Sequence, residues 1–462
     1  MRVVLADLRD RDGRVSKDTV AGGYGSRFPT SSRVTRIIGW VKRLYGRLPS
    51  IQMAYLAAIF AAGGHEVVWT PAEPVDGDVA IVLSSLVDYR RETAWARLQR
   101  ARGARTGFVG LAASKLPELF LDHGDFVIAG EPEAAAIRIA RGDRPEGLVP
   151  SEPLADLDRL PFPAWDLIDA MPSRRVLPRV NDRAPGRLFP VLASRGCPEF
   201  CTYCPHRILA PYRCRSVGSV LEELAQLCTR WQRPYVVFRD PLFTEQRDRC
   251  LALADGILAR GLDLRFECET RLDRLDEALL DRLHRAGLRA VTFGVESVRP
   301  ETLRKVGRRP IPPAHQRRIV AYCRSRGITT AAFYVFGFLE DDRDSIAATI
   351  DYSLALGSTF AQYKLLTPYP GTPLWRQLAP LVYERDWERF DGFTPTFRHP
   401  ALGPDELSDL LRTAYTRFYV RPSFLANYVG LPEGRLRRLV GRLDEPVAAY
   451  QMRLQAAGGA RC

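Results

Sequence analysis

Short apolar runs alternate with longer helical patterns along most of this chain, and that alternation restricts its fold more than any other feature. "VVLADL" (Val3–Leu8) reads as a strand. "PSIQMAYLAAIFAAGGHEVVWT" (Pro49–Thr70) reads as a helix, a stop at Gly63–Gly64 and a strand over Glu66–Trp69. "DVAIVLSSL" (Asp78–Leu86), a helix around Glu92–Arg102, the strand "TGFVGL" (Thr106–Leu111) and "LDHGDFVIAGEPEAAAIRIA" (Leu121–Ala140) continue the pattern. Apolar strands joined by helices form parallel sheets covered on both faces. Residues 1–145 are therefore expected to be an α/β, doubly wound, Rossmann-like domain. A second alternation has strands near Phe189–Ala193, Tyr235–Arg239, Leu264–Glu269, Ala290–Val295, Thr330–Gly337 and Phe360–Leu366. Six such units over residues 188–378 predict a partial (β/α)6 TIM-like barrel, whose chemistry sits at the C-terminal ends of the strands. Residues 146–187, rich in Pro, Asp and Arg, read as a linker, and 379–462 as a helical, aromatic-rich C-terminal region.

Composition narrows the class. The chain has 462 residues, and at roughly 150 residues per domain that length suits two to four domains. Lys and Arg exceed Asp and Glu by 67 to 54, but the excess is spread out and no nucleic-acid motif accompanies it. The longest apolar run, "AYLAAIFAA" from Ala54, falls short of the ~20 residues a membrane helix needs. "MRVVLADLRD" opens like a buried strand and not like a secretory leader. Nine cysteines occur, and only three of them cluster, which suits a reducing cytoplasm. Neither nucleic acid nor membrane is expected as a partner.

Those three are Cys197, Cys201 and Cys204, in "SRGCPEFCTYCPHR" (Ser194–Arg207), just after the first barrel strand. Three thiolates in one loop can hold iron–sulfur or zinc. With His206 two residues on, a Cys₃His zinc knot is one alternative. A 4Fe–4S cluster is the other. It would leave one iron without a protein ligand, open to a small chelating molecule.

The motif "CPEFCTYC" resembles the C-x₃-C-x-aromatic-C signature of the radical S-adenosylmethionine (radical SAM) superfamily. Its context resembles that superfamily too. "PYVVFRDPLFT" (Pro234–Thr244), "FECETRLDRL" (Phe266–Leu275), "VTFGVES" (Val291–Ser297), "FGFLEDDRDSI" (Phe336–Ile346) and "LLTPYPGTPL" (Leu365–Leu374) follow in the order of its later strands. The resemblance implies that Cys197, Cys201 and Cys204 bind three irons of a 4Fe–4S cluster and that S-adenosylmethionine chelates the fourth. It implies a deoxyadenosyl radical that abstracts hydrogen from a small-molecule substrate. It places Tyr203 by the adenine, Arg271 on the methionyl carboxylate, Glu296 on the ribose and Asp240 near the amino group. It also implies an external one-electron reductant of flavodoxin or ferredoxin type, or a partner reductase.

The first domain resembles the cobalamin-binding domain that precedes many radical SAM barrels, through "QMAYLAAIFAAGGHEVVWT", "IVLSSL" and "DFVIAGEPEAA". Two departures bear on that cofactor. No D-x-H-x-x-G stretch exists, since His65 and His123 lack that spacing. "FVGLAAS" (Phe108–Ser114) has Leu111 where the resembled domain has a second glycine, adding bulk where a nucleotide tail would thread. Cobalamin binding stays open against a retained fold that only shapes the site. "GGYGSRF" is a Gly-rich loop that could fold over the barrel mouth as a lid, followed by Arg33, Arg36, Lys42, Arg43 and Arg47.

Two enzyme readings and one scaffold reading follow. The first is a radical enzyme of natural-product tailoring that dehydrates or rearranges a sugar or aminoglycoside. Its acid, base and binding groups would come from Glu267, Glu269, Tyr334, Glu340, Tyr363 and Lys364 near the strand ends. The second is a cobalamin-dependent radical C-methyltransferase, with a radical cyclase acting on a tetrapyrrole as a remoter option. The scaffold reading is a non-catalytic zinc protein.

Overall fold

The computed structural model describes residues 1–10, 14–17, 23–29, 48–168, 187–421 and 424. In the first half, β1 (Arg2–Ala6), β2 (Glu66–Thr70), β3 (Val79–Leu83), β4 (Arg105–Val109), β5 (Phe126–Gly130) and β6 (Gly147–Ser151) form one parallel sheet. Its order is β2-β1-β3-β4-β5-β6. The chain switches direction between β1 and β3, the point where doubly wound sheets open a crevice at their carboxyl edge. The helices α1 (Ile51–Ala62), α2 (Tyr89–Ala101) and α3 (Glu133–Ala140) cover the sheet. Ile51 to Phe60 of α1 are all buried, Gln52 among them, so this helix is enclosed on every side and packs between layers. Ser50 starts it, its hydroxyl accepting from Met53 N at 3.3 Å. Strand β6 lies inside the stretch read as a linker. Gly147 to Ser151 pair in parallel with Phe126 to Gly130, so the sheet runs past residue 145. Pro150 is tolerated there because β6 is an edge strand.

The second half is an open six-stranded parallel sheet of β7 (Leu188–Val191), β8 (Tyr235–Phe238), β9 (Arg265–Thr270), β10 (Leu288–Glu296), β11 (Thr329–Phe336) and β12 (Phe360–Leu365), paired in sequential order. Helices α4 (Val217–Arg230), α5 (Arg247–Ala259), α6 (Glu277–Arg285), α7 (Pro313–Ser325) and α8 (Arg343–Leu356) alternate with the strands. The six strands read from the sequence all lie within two residues of these bounds. Side chains on the strands alternate between the helical layer and the barrel interior. Phe266 and Cys268 of β9 join the apolar core under the helices, so Glu267 and Glu269 lie on the opposite face.

The C-terminal α9 (Pro404–Tyr419) covers the free edge at β12. The Tyr415 hydroxyl accepts from Tyr363 N at 3.2 Å and donates to Tyr363 O at 2.9 Å. Tyr419 does the same for Ala361, at 3.2 and 2.6 Å. Two phenols thus satisfy edge groups that would otherwise template another strand. No helix among the described residues is long and apolar enough to cross a membrane.

Candidate active site

The cysteine loop leaves β7 and is braced at its base. Ser194–Arg195 pair antiparallel with Arg213–Cys214. Asp240, just after β8, accepts from Ala193 N at 3.1 Å and from the Ser194 hydroxyl at 2.5 Å. Gly196 has φ +73°, and a side chain there would strike the backbone of Ala210 and Pro211. Cys197, Cys201 and Cys204 all line one cavity of about 420 Å³ at the carboxyl ends of the barrel strands. Burial pushes the Cys197 thiol up to about 11 and raises Cys204 further. Both would have to shed their protons to iron on loading. Among the described residues, no three His, Cys, Asp or Glu side chains converge on one metal-ion position. A single zinc needs such convergence. Three thiols sharing one cavity wall suit the donor set of a polynuclear cluster. His206 lines the same cavity.

Arg271 follows β9 on the cavity wall, 4% exposed in its side chain. Its Nε and Nη2 hold Asp273 at 3.0 and 2.9 Å, and Nη2 also donates to Arg309 O at 2.9 Å. Nη1 lies 3.6 Å from Glu199 and makes no hydrogen bond among the described residues. A buried guanidinium with one unused N–H group at a cavity wall fits a carboxylate ligand. Glu296 ends β10 with φ +66°, an uncommon conformation that turns its carboxylate toward Arg308, 3.6 Å away. Burial raises the Glu296 carboxyl above the ordinary range, and Arg308 opposes the rise. Tyr203 stands on the same wall, edge-on to Phe338 with ring centroids 5.7 Å apart. These residues fit a cluster with a chelating cosubstrate by the donor set of three thiols and by the unused Arg271 N–H.

The other candidates divide between the cavity wall and the layers behind it. Asp240 is buried behind the cavity, and both its carboxylate oxygens serve the base of the cysteine loop. Glu267 sits one step deeper than the cavity and accepts from the Tyr235 hydroxyl at 2.9 Å. Glu340 pairs on the surface with Lys305 at 2.9 Å. Tyr334 borders the cavity, but its ring stacks on Tyr363 at 5.2 Å on the side of the helical layer. Tyr363 bonds Ser353 at 2.6 Å and packs edge-on to Tyr415 in that layer. Strand parity turns both rings toward the helical layer, because Tyr334 and Tyr363 alternate with residues that face inward, and of the two only Tyr334 also reaches the cavity wall. Glu269 and Lys364 do line the cavity, Glu269 in an ion pair with Arg239 and Lys364 at 5.9 Å from the Phe393 ring.

Arg239 and Arg308 escaped the sequence reading. Arg239 precedes Asp240 in the second-strand motif, and its inward parity was the available signal. Arg308 lies in "KVGRRP", outside any motif. The loop containing Tyr24 does reach the barrel mouth. Tyr24 stacks on Tyr369 at 5.0 Å and donates its hydroxyl to Pro370 O. Arg27 lies 3.5 Å from Glu388 and 3.9 Å from Asp88. Arg33, Arg36, Lys42, Arg43 and Arg47 lie outside the described residues.

The same loop fills the carboxyl edge of the first sheet. Lys17 Nζ reaches Leu83 O at 3.2 Å and Glu92 at 2.9 Å. Leu86 N donates to Tyr24 O at 2.9 Å, and a side chain at Gly25 would come within 2.7 Å of Val87. Ser84 bonds Val109 O and Ala113 N at 2.7 and 3.1 Å, and Ser85 bonds Glu92. These contacts tie the described part of the loop to the switch-point crevice, and Ser16, Gly23, Gly25, Ser26 and Leu111 line the cavity at the barrel mouth as well. His65 lies at the far end of the sheet, against Ala140 O at 2.9 Å.

Residues 191–352 match the profile of the Radical SAM superfamily. Over that stretch the chain is a radical SAM domain, with its three cysteines at the mouth of an open parallel barrel. Solved structures share the fold of both halves. OxsB, a cobalamin-dependent S-adenosylmethionine radical enzyme solved with aqua-cobalamin and S-adenosylmethionine bound, aligns with TM-score 0.65 and 13% identity over 96% of this chain and 70% of that one. TsrM from Kitasatospora setae, a radical S-adenosylmethionine methyltransferase, aligns with TM-score 0.58 and 18% identity, over 82% and 76%. In sequence, an uncharacterized methyltransferase of Pyrococcus horikoshii is 30% identical over 288 residues, 60% of this chain and 61% of that protein. The anaerobic magnesium-protoporphyrin IX monomethyl ester cyclase of Rubrivivax gelatinosus is 26% identical over 306 residues, 65% of this chain and 54% of that protein. The matched stretch thus spans little more than half the length of these two relatives.

Proposed function

We propose that this chain is a radical SAM enzyme of the methyltransferase type, acting on a carbon of a small-molecule substrate. The observation that carries the reading is one cavity lined at once by Cys197, Cys201 and Cys204, by Arg271 and Glu296, and by Leu111 and Tyr24 of the first domain. The relatives named as methyltransferases favour methyl transfer over dehydration of a sugar or aminoglycoside. Bound at the three cysteines, a 4Fe–4S cluster would supply the electron that cleaves S-adenosylmethionine to a deoxyadenosyl radical. The chain's own groups do the rest. Arg271 holds the methionyl carboxylate through its free N–H. Glu296 and Tyr203 line the nucleoside side. Glu269, Arg239 and Lys364 face the remaining space, where a polar substrate would be oriented. Tyr24, latched to Tyr369, keeps water from the barrel mouth. An external one-electron donor of flavodoxin or ferredoxin type reduces the site.

The test is anaerobic reconstitution followed by turnover with S-adenosylmethionine and dithionite. The expected result is about four irons with matching labile sulfide per chain, and deoxyadenosine that disappears in Cys201→Ala. S-adenosylhomocysteine beside a methylated product supports methyl transfer. Deoxyadenosine with a product lighter by water returns the reading to dehydration. One zinc without labile sulfide removes the enzyme reading altogether. Corrin absorbance in protein purified with cobalamin would show that Lys17, Tyr24 and their neighbours give way to it.

A further inference from the structure

Arg308 is a buried guanidinium in the cavity to which no motif assigns a role. Its side chain is 10% exposed. Nη1 lies 3.8 Å from the Cys201 sulfur, within hydrogen-bonding reach of sulfur. Nη2 donates to Gly294 O at 2.6 Å and stands 3.6 Å from Glu296. The position is fixed from several sides. Arg308 N donates to Leu303 O at 2.8 Å, and Thr202 N donates to Val306 O at 2.9 Å. The segment before Arg308 is thereby pinned to the loop on the C-terminal side of Cys201. Gly307, at φ +72°, packs against the Phe200 backbone on the N-terminal side. A β-carbon on Gly294 would sit 2.9 Å from Nη2 and would collide with the Glu296 carboxylate, so the absence of a side chain there makes the contact possible.

We propose that Arg308 is a positioning residue for the iron–sulfur cluster, which hydrogen-bonds the Cys201 ligand sulfur and raises the cluster's reduction potential. The proposal rests on the reading that the three cysteines hold a cluster. On one-electron reduction by the external donor the cluster gains one negative charge. Arg308 keeps its proton throughout, so its fixed positive charge favours the reduced state over the oxidised one. Hydrogen bonds to ligand sulfur and net local charge are the levers that set such potentials. In a buried site their effect is larger than it would be in water. Glu296 opposes Arg308, so removing its charge shifts the potential the other way.

The experiment is an EPR-monitored redox titration of reconstituted protein, first without S-adenosylmethionine. Arg308→Gln is expected to move the midpoint to more negative values, Arg308→Lys to recover part of that shift, and Glu296→Gln to move it to more positive values. A wild-type midpoint in Arg308→Gln at full iron and labile sulfide overturns the proposal. So does a shift that appears only after S-adenosylmethionine is added, which would place the guanidinium on the cosubstrate instead. If Arg308→Gln loads no cluster, Arg308→Lys decides: a midpoint below wild type supports the sulfur contact, and an unchanged one overturns it. Wild-type protein without labile sulfide would be a failure of the cluster reading itself, seen before any titration.

Discussion

At the residue scale, the cavity separates side chains that stand side by side in sequence. Arg271 has one buried N–H without a hydrogen-bond partner among the described residues. Arg271→Gln removes a charge-assisted contact of about 1.5–3 kcal/mol, so S-adenosylmethionine binding to cluster-loaded protein is expected to weaken ~10–100-fold, read by equilibrium dialysis. Glu269 and Glu267 make a paired test. Glu269→Gln removes the charge that faces Arg239 inside the cavity and is expected to lower turnover at least ~10-fold, whereas Glu267→Gln, one step deeper against Tyr235, leaves it within about twofold. Equal losses in the two variants would refute the assignment. The cysteines were legible because their spacing is a local property of the chain. The strand-end groups were less so. Tyr363 and Lys364 are neighbours, and the period of two lets only one of them face inward. Tyr363 accordingly packs in the helical layer and Lys364 lines the cavity. Arg308 was illegible for another reason: its partners Cys201 and Gly294 are brought to it by two other elements, the cysteine loop and β10.

At the element scale, every strand of the second sheet stood out in the sequence, β7 and β8 as short apolar runs and β9, β11 and β12 as alternating ones between helical patterns. The edge strand β6 did not, since Pro150 and the surrounding polar residues read as linker. Asp240 shows how an element can make structural use of a residue with a catalytic appearance. Burial raises its carboxyl to about 6 from an ordinary value near 3.8. The folded state therefore binds more protons than the unfolded state between those values, and stability falls as pH rises through that window. Asp341, buried under Gly337 N and Phe338 N and also raised to about 6, acts in the same direction. Asp240→Asn is expected to flatten the decline in apoprotein stability between pH 4 and pH 6, measured by urea denaturation at a series of pH values. A slope as steep as wild type would show that Asp240 titrates normally in the folded chain.

At the scale of the whole molecule, the two halves are joined behind the cysteine loop. Arg195, two residues before Cys197, reaches Glu133 at 2.8 Å and Glu131 at 3.3 Å, lies over the Tyr55 ring at 5.1 Å, and shares Glu131 with Arg213. Arg195, Glu131 and Glu133 are all buried. Arg195→Ala leaves two buried carboxylates short of a cation and is expected to cost about 3–5 kcal/mol, seen as a lowered Tm before any cluster is loaded. A loss under 1 kcal/mol would mean that the halves hold together without it. Alternation in the sequence separated the two sheets but could not reveal this seam, since its members lie some sixty residues apart and each looks like ordinary surface charge. For recombination the practical boundary between the halves is therefore not the Pro-rich stretch. A barrel transplanted behind a foreign first domain would carry an arginine at the root of its cysteine loop facing no acid. Only donors that supply a carboxylate pair after their fifth strand are compatible front halves for this barrel.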